Sequence, residues 1–184
     1  MGHSQAQKKE SRERILAIAA KHLLQRGLEG FSIADLMKDA GLTHGGFYNH
    51  FESRDDLVAQ AIASALNSYS ANKRTLKALL EDYLSQKRRD APDSGCAVAL
   101  LLSDVARAGK RVRDLYTAQV KRNFEGVARL GQQKGRSADR AKAIVTFSAM
   151  AGALALARAV SDEELSSEIL QTVREYLVKE HRGK

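Results

Sequence analysis

The stretch GLTHGGFYNHF, Gly41 to Phe51, puts three glycines, two histidines, an asparagine and a tyrosine into eleven residues. Its surroundings are patterned as helix. Upstream, Ile15, Leu16, Ala19, Ala20, Leu23 and Leu24 recur at the three-to-four spacing of an amphipathic helix, which Gly27 ends. Ser32-Ile33-Ala34-Asp35 resembles a capping box, with Asp in place of the usual Glu. It opens a short helix with Ile33, Leu36 and Met37 facing inward. Gly41 supplies a left-handed turn residue after it, and Thr43 is placed to cap a third helix running to about His50. Two short helices joined by a tight glycine turn make a helix-turn-helix.

The same period runs on through the chain. A fourth helix is expected from Arg54-Asp55-Asp56 towards Tyr69, its acids suiting a helix N-terminus. Others follow over Thr75–Gln86, Cys96–Ala108, Val112–Leu130, Arg140–Val160 and Glu163–Glu180. Pro92 in APDSG marks the strongest break, and GQQKGRS, residues 131–137, reads as a loop. No strand-like alternation, repeat or low-complexity tract interrupts this pattern. The expected architecture is all-α: a three-helix helix-turn-helix domain over 1–53, with a basic arm at 1–12, and a larger helical domain over 54–184.

Composition narrows the function classes. The 184 residues are 43% hydrophobic and 28% charged, enough apolar content for a real core. The formal charge of +8 is unevenly placed. Residues 1–26 hold six basic and two acidic groups, whereas residues 27–60 hold two and six. Pooled charge is therefore no argument for nucleic acid. The N-terminus has no apolar core for a secretory signal, Gly2 does not complete a myristoylation motif, and CAVALLLSDVA is too short to span a bilayer. A single cysteine, Cys96, excludes an internal disulfide and a multi-cysteine zinc site. A cytoplasmic protein without membrane attachment is the simplest expectation.

In a helix-turn-helix, the N-terminal part of the second helix enters the major groove. Gly45 and Gly46 let the backbone approach closely, and Thr43, His44, Tyr48, Asn49 and His50 supply short polar contacts to bases and phosphates. Phe47 and Phe51 turn back into the small core. From RILAIAAKHLLQRG to the terminal signature Phe47-Tyr48-Asn49-His50-Phe51, with Ser53-Arg54 and Leu57, this segment resembles the DNA-binding domain of the TetR/AcrR family of bacterial repressors. The likeness covers under a third of the chain.

The resemblance implies a recognition helix over Thr43–Asn49, with Tyr48 and His50 near the DNA backbone. Arg54 would add a phosphate contact where the family often has Lys, and Ser32 completes the DNA-facing set. It further implies that 54–184 binds an effector and dimerises. The expected partners are a double-stranded operator, a second copy of the chain through Arg140–Val160 and Glu163–Glu180, and a small effector of apolar or electrophilic character. Candidate effector-lining residues are Tyr83, Cys96, Leu101, Val105, Tyr116, Val120, Phe124, Phe147 and Met150. No cofactor is implied.

Other readings are weaker. His44 and His50, six apart, fall on different helix faces and lack a carboxylate partner, so no metal site is expected. Ser70-Ala71-Asn72-Lys73 matches the S-x-x-K of serine acyl-enzymes, but the companion S-D-N and K-T-G motifs are missing. No catalytic residues are expected and the protein is read as no enzyme. Cys96 has two readings: a thiol activated by a helix N-terminus, or a small apolar core residue beside Val98, Leu101 and Leu102, the second being favoured. A helical enzyme and a protein-interaction adaptor that does not bind DNA remain the alternatives, separated from a repressor by salt-dependent binding to DNA.

Overall fold

The computed structural model describes residues 2–28, 30, 32–67, 75–91, 96–132 and 139–181. Of the described residues 84% are helical and none is in a strand, which makes the fold all-α. The S-x-x-K at Ser70–Lys73, the break at Pro92 and most of the loop after Gly131 lie outside the described residues. The chain forms two compact units, Met1–Ser68 with Leu101–Tyr116, and Tyr69–Leu100 with Thr117–Lys184.

The first unit opens with α1 (Gly2–Arg26). Ile15, Ala19, Ala20, Leu23 and Leu24 are buried, as their spacing requires. The residues read as a basic arm are the first turns of this helix, where Lys9 and Arg14 sit in i,i+4 pairs with Glu13 and Glu10. Gly27 ends α1 with φ 75° and donates its N–H to the Leu23 carbonyl. A Cβ there would also stand 2.6 Å from the Asp104 carboxylate, which accepts the N–H of Leu28.

Helix α2 (Ile33–Asp39) is capped by Ser32, whose Oγ accepts from the Asp35 N–H and donates to its carboxylate at 2.7 Å. Such a cap contributes about 1 kcal/mol. The helix closes on Gly41 at φ 71°: Gly41 N–H binds the Lys38 carbonyl and Leu42 N–H the Met37 carbonyl. These paired 5→2 and 6→1 bonds form a Schellman motif, which fixes the turn. A 3-10 helix, His44–Asn49, follows, then α3 (Arg54–Asn67), where Ser53 Oγ accepts the Asp56 N–H. Helix α3 packs along α1, burying Leu57, Val58, Ala61, Ile62, Ala65 and Leu66. Later residues of the same unit form α7 (Leu102–Arg107) and the first turns of α8 (Lys110–Gly131).

In the second unit, Thr75 caps α4 (Leu76–Tyr83), and α5 (Gln86–Asp90) is a separate short helix. A continuous helix over Thr75–Gln86 does not form. Ser85 Oγ caps α5 through the Arg88 N–H and donates to the Asp82 carbonyl, so its hydroxyl competes with helix continuation. The helix expected over Cys96–Ala108 is likewise divided at Leu101, between α6 (Ala97–Leu100) and α7.

The centre of this unit is α9 (Arg140–Ala159), packed against α4, α5, α6 and α10 (Glu163–His181). By length and composition α9 is apolar enough to cross a membrane, which the reading of the sequence did not foresee. Ala143, Phe147, Met150, Ala153, Leu154 and Ala157 bury one side of it within the unit. Its end is held by Arg158, which donates to the carbonyls of Arg88 and Arg89, and by Ser166, which donates to the Ala157 carbonyl at 2.6 Å.

Candidate nucleic-acid interface

Phe47 is the hinge of the site. Its ring is 0% exposed, stacked on Phe51 at 5.6 Å and edge-on to Tyr48 at 5.1 Å. Burying residue 47 turns residue 48 outward, so the Tyr48 side chain is 69% exposed. Thr43, His44, Gly45 and Asn49 share that exposure, while Gly46 and His50 are half-buried. The 3-10 helix thus brings Thr43, His44, Gly45, Gly46, Tyr48, Asn49 and His50 together in one short element. Ser32 is exposed one element earlier, and Arg54 lies at the start of α3, where it donates to the Leu28 carbonyl at 3.4 Å. Near Arg54 lies a cleft of about 430 Å³ whose lining includes Leu28, Val58, Asp104, Arg107 and Lys110.

Two local expectations are corrected. The element after the turn is a 3-10 helix, and the Thr43 side chain makes no capping bond. Six residues holding two glycines form a short, tightly wound element more readily than full α-helical turns. A Cβ at Gly45 would meet nothing within 4 Å, and one at Gly46 only the Met37 and Thr43 side chains at 3.6 Å.

The structure also adds groups that periodicity does not pick out. His22, buried on α1, places Nε2 3.0 Å from the Asp39 carboxylate and so ties α1 to the end of α2. Arg12 is not directed to solvent: it donates to the His50 carbonyl and the Gln60 side chain, and its guanidinium lies 5.2 Å from the centre of the Phe51 ring. Asp56 receives the Gln60 amide and Arg111, which hold its carboxyl below the usual range. Arg12 lies 38 and 48 residues from its partners and Arg111 lies 55 from Asp56, so no local pattern announces these contacts.

His50 has its pKa pushed below 6.5 by burial, then by Lys8 and Arg12. His181, bonded to Thr146 at 2.8 Å in the second unit, is pushed down by burial and by Lys142. Both are therefore neutral in the folded protein at pH 7. Because their folded pKa values lie below the unfolded one, the stability they confer is complete above about pH 6.5 and is lost as pH falls through the folded values. We expect the melting temperature to drop between pH 7.5 and 5.5. A His50→Gln/His181→Gln variant should show a smaller drop in paired thermal scans; an equal drop would assign the acid sensitivity elsewhere.

The effector candidates divide between the units. Tyr83, Phe124 and Phe147 come together in the second unit, with ring centroids at 6.3 Å (Tyr83–Phe147) and 5.8 Å (Phe124–Phe147). Cys96 and Met150 are buried in that unit, and Val120 is half-buried there. Leu101 and Val105 are buried in the first unit, to which Tyr116 also belongs. Among the described residues, no group of three or more His, Cys, Asp or Glu side chains is placed to hold a metal.

A helix, a Schellman turn and a short second helix with an outward polar face form a helix-turn-helix. Residues 15–61 match the profile described as bacterial regulatory proteins, tetR family. The HTH-type transcriptional repressor KstR2 of Rhodococcus jostii is 25% identical over 135 residues, covering 67% of this chain and 66% of that one. The repressor NemR of Escherichia coli is 33% identical over 72 residues, covering 39% and 35%. The chain therefore matches about two thirds of the length of the first and about a third of the second. Among solved structures, a TetR regulator from Chloroflexus aurantiacus superposes with a TM-score of 0.76 at 24% identity, over 95% of this chain and 97% of that one. Reduced E. coli NemR gives 0.72 at 17% identity, over 92% and 96%. Over residues 15–61 the chain carries the N-terminal segment of the tetR family of bacterial regulatory proteins.

Proposed function

We propose that this protein is a ligand-responsive transcriptional repressor. It binds a palindromic operator as a homodimer through Thr43–Asn49 and leaves it when a small molecule binds. Residues 1–53 act as the reading domain and 54–184 as the effector and dimerisation domain. The observation that carries this reading is the pairing of a fully buried Phe47 with a 69% exposed Tyr48 on a turn-fixed element. A tyrosine held outward by its neighbour's burial, among His44, Gly45 and Asn49, suits phosphate and base contacts better than core packing. Ser32 and Arg54 extend the contacts to flanking phosphates. The relatives named as transcriptional repressors support the same assignment.

Dimerisation is favoured by apolar side chains left exposed on the last two helices. Val145, Gly152 and Leu156 line one side of α9, and Leu165 and Tyr176 one side of α10. A two-fold axis through these helices would present two reading elements to one DNA face. For the effector, the Tyr83–Phe147–Phe124 cluster favours a small, mostly apolar molecule. An electrophile would first have to uncover Cys96, which is 3% exposed. Binding must then favour a conformer in which the reading elements no longer match the operator.

The test is a titration against the DNA upstream of the protein's own gene at several salt concentrations. Affinity should fall steeply with salt. Tyr48→Ala should weaken binding by about 1–2 kcal/mol, the scale of a lost hydrogen bond to a charged group. A folded Tyr48→Ala protein that binds as wild type removes Tyr48 from the interface, and salt-independent or absent binding refutes the repressor reading.

A further inference from the structure

One chain of polar contacts in the first unit leads from the start of α8 to the end of the reading element. Arg111, in the first turn of α8, donates to Asp56 Oδ1 at 3.0 Å. The other oxygen of that carboxylate accepts the Gln60 side-chain amide at 2.8 Å. The Gln60 carbonyl oxygen accepts from Arg12, and Arg12 Nε donates to the backbone carbonyl of His50 at 3.4 Å. His50 is the residue that closes the 3-10 helix, its own N–H bound to the Phe47 carbonyl. Gln60 fits this arrangement in one orientation only. Its NH2 faces a carboxylate and its oxygen a guanidinium, so a flipped amide would lose both bonds.

The guanidinium carbon of Arg12 also lies over the Phe51 ring, 5.2 Å from its centre. The cation is therefore aimed rather than mobile. Asp56 is the shielded joint of the chain, with its side chain 13% exposed against 65% for Arg111. Lys110 and the residues to Tyr116 belong to the first unit, while α8 continues to Gly131 in the second.

We propose that Arg111, Asp56, Gln60 and Arg12 form a relay by which the first turn of α8 positions the recognition element at His50. Arg111 is thus a positioning residue for operator binding without touching DNA. The relay rests on the DNA-binding reading above and adds how that reading is regulated: whatever shifts the start of α8 withdraws support from the end of the reading helix. Charge-assisted contacts suit this role, because loss of one partner leaves the next group in the chain unsatisfied.

The experiment uses the full chain and two readouts. The first is the position of the Gly45 and Gly46 backbone amide resonances in the free protein; the second is operator affinity. Arg111→Ala should move both glycine resonances and weaken operator binding roughly three- to tenfold, the modest scale expected of a partly exposed ion pair. Arg111→Lys should restore most of the affinity. Gln60→Ala should move the same resonances further, and the Gln60→Ala/Arg111→Ala double variant should match Gln60→Ala alone, as members of one chain do not add.

Unmoved glycine resonances with wild-type affinity in Arg111→Ala would overturn the relay. Additive losses in the double variant would also overturn it, since Arg111 would then act on DNA directly. If the wild type binds no operator, the repressor reading fails, and the glycine resonances of the free protein still decide whether α8 positions the element.

Discussion

Phe47→Ala should cost the first unit about 3–5 kcal/mol, the range for emptying a buried aromatic site. The ring is completely enclosed, stacked on Phe51 and edge-on to Tyr48, in a domain too small to fill the cavity by rearrangement. Domains of this size have a stability of only about 5–15 kcal/mol. The reading element should therefore be lost first and operator binding with it, while the second unit keeps its helical signal. Denaturant titration followed by circular dichroism, beside an operator titration, checks both consequences. A midpoint shift equivalent to less than about 1 kcal/mol would show that Phe47 does not anchor the element.

Leu156→Glu should have an effect of comparable size by a different route. Leu156 is 58% exposed on α9 in the isolated chain, so a carboxylate there leaves the fold unharmed. In a two-fold interface the same change buries two unpaired charges, one from each copy. The variant should sediment as a folded monomer of 20.2 kDa. Loss of the linked second half-site should lower operator affinity by about 10²- to 10⁴-fold. A variant that still sediments as the wild type does would place the dimer surface away from this face of α9.

Much of this was open to a reader of the sequence, for local reasons. Gly27 and Gly41 end helices because the chain needs a left-handed residue there, and Ser32 caps because its hydroxyl meets the N–H three residues on. Such signals act within one turn. The inward and outward alternation of Phe47 and Tyr48 was legible for the same reason. Periodicity overran the helix breaks at Ser85 and Leu101, since apolar spacing continues through both while the backbone does not. It also could not foresee Arg12. Counted with the basic residues of an arm, it is committed to partners 38 and 48 residues away. Nor could it separate ligand-lining from core side chains among Leu101, Val105, Phe147 and Met150, because both classes are apolar and inward-facing.

The open space beside Gly45 has an evolutionary consequence. At Gly27, a side chain would collide with Asp104, and at Gly41 the backbone itself calls for glycine. Gly45 meets neither constraint, and Gly46 meets only ordinary packing. Folding therefore leaves both positions free to vary, and replacing a helical glycine generally gains a few tenths to about 1 kcal/mol. In the proposed reading surface the two positions are blank letters. A lineage could write new side chains into them, and so acquire new target sequences, while the scaffold beneath stays as it is.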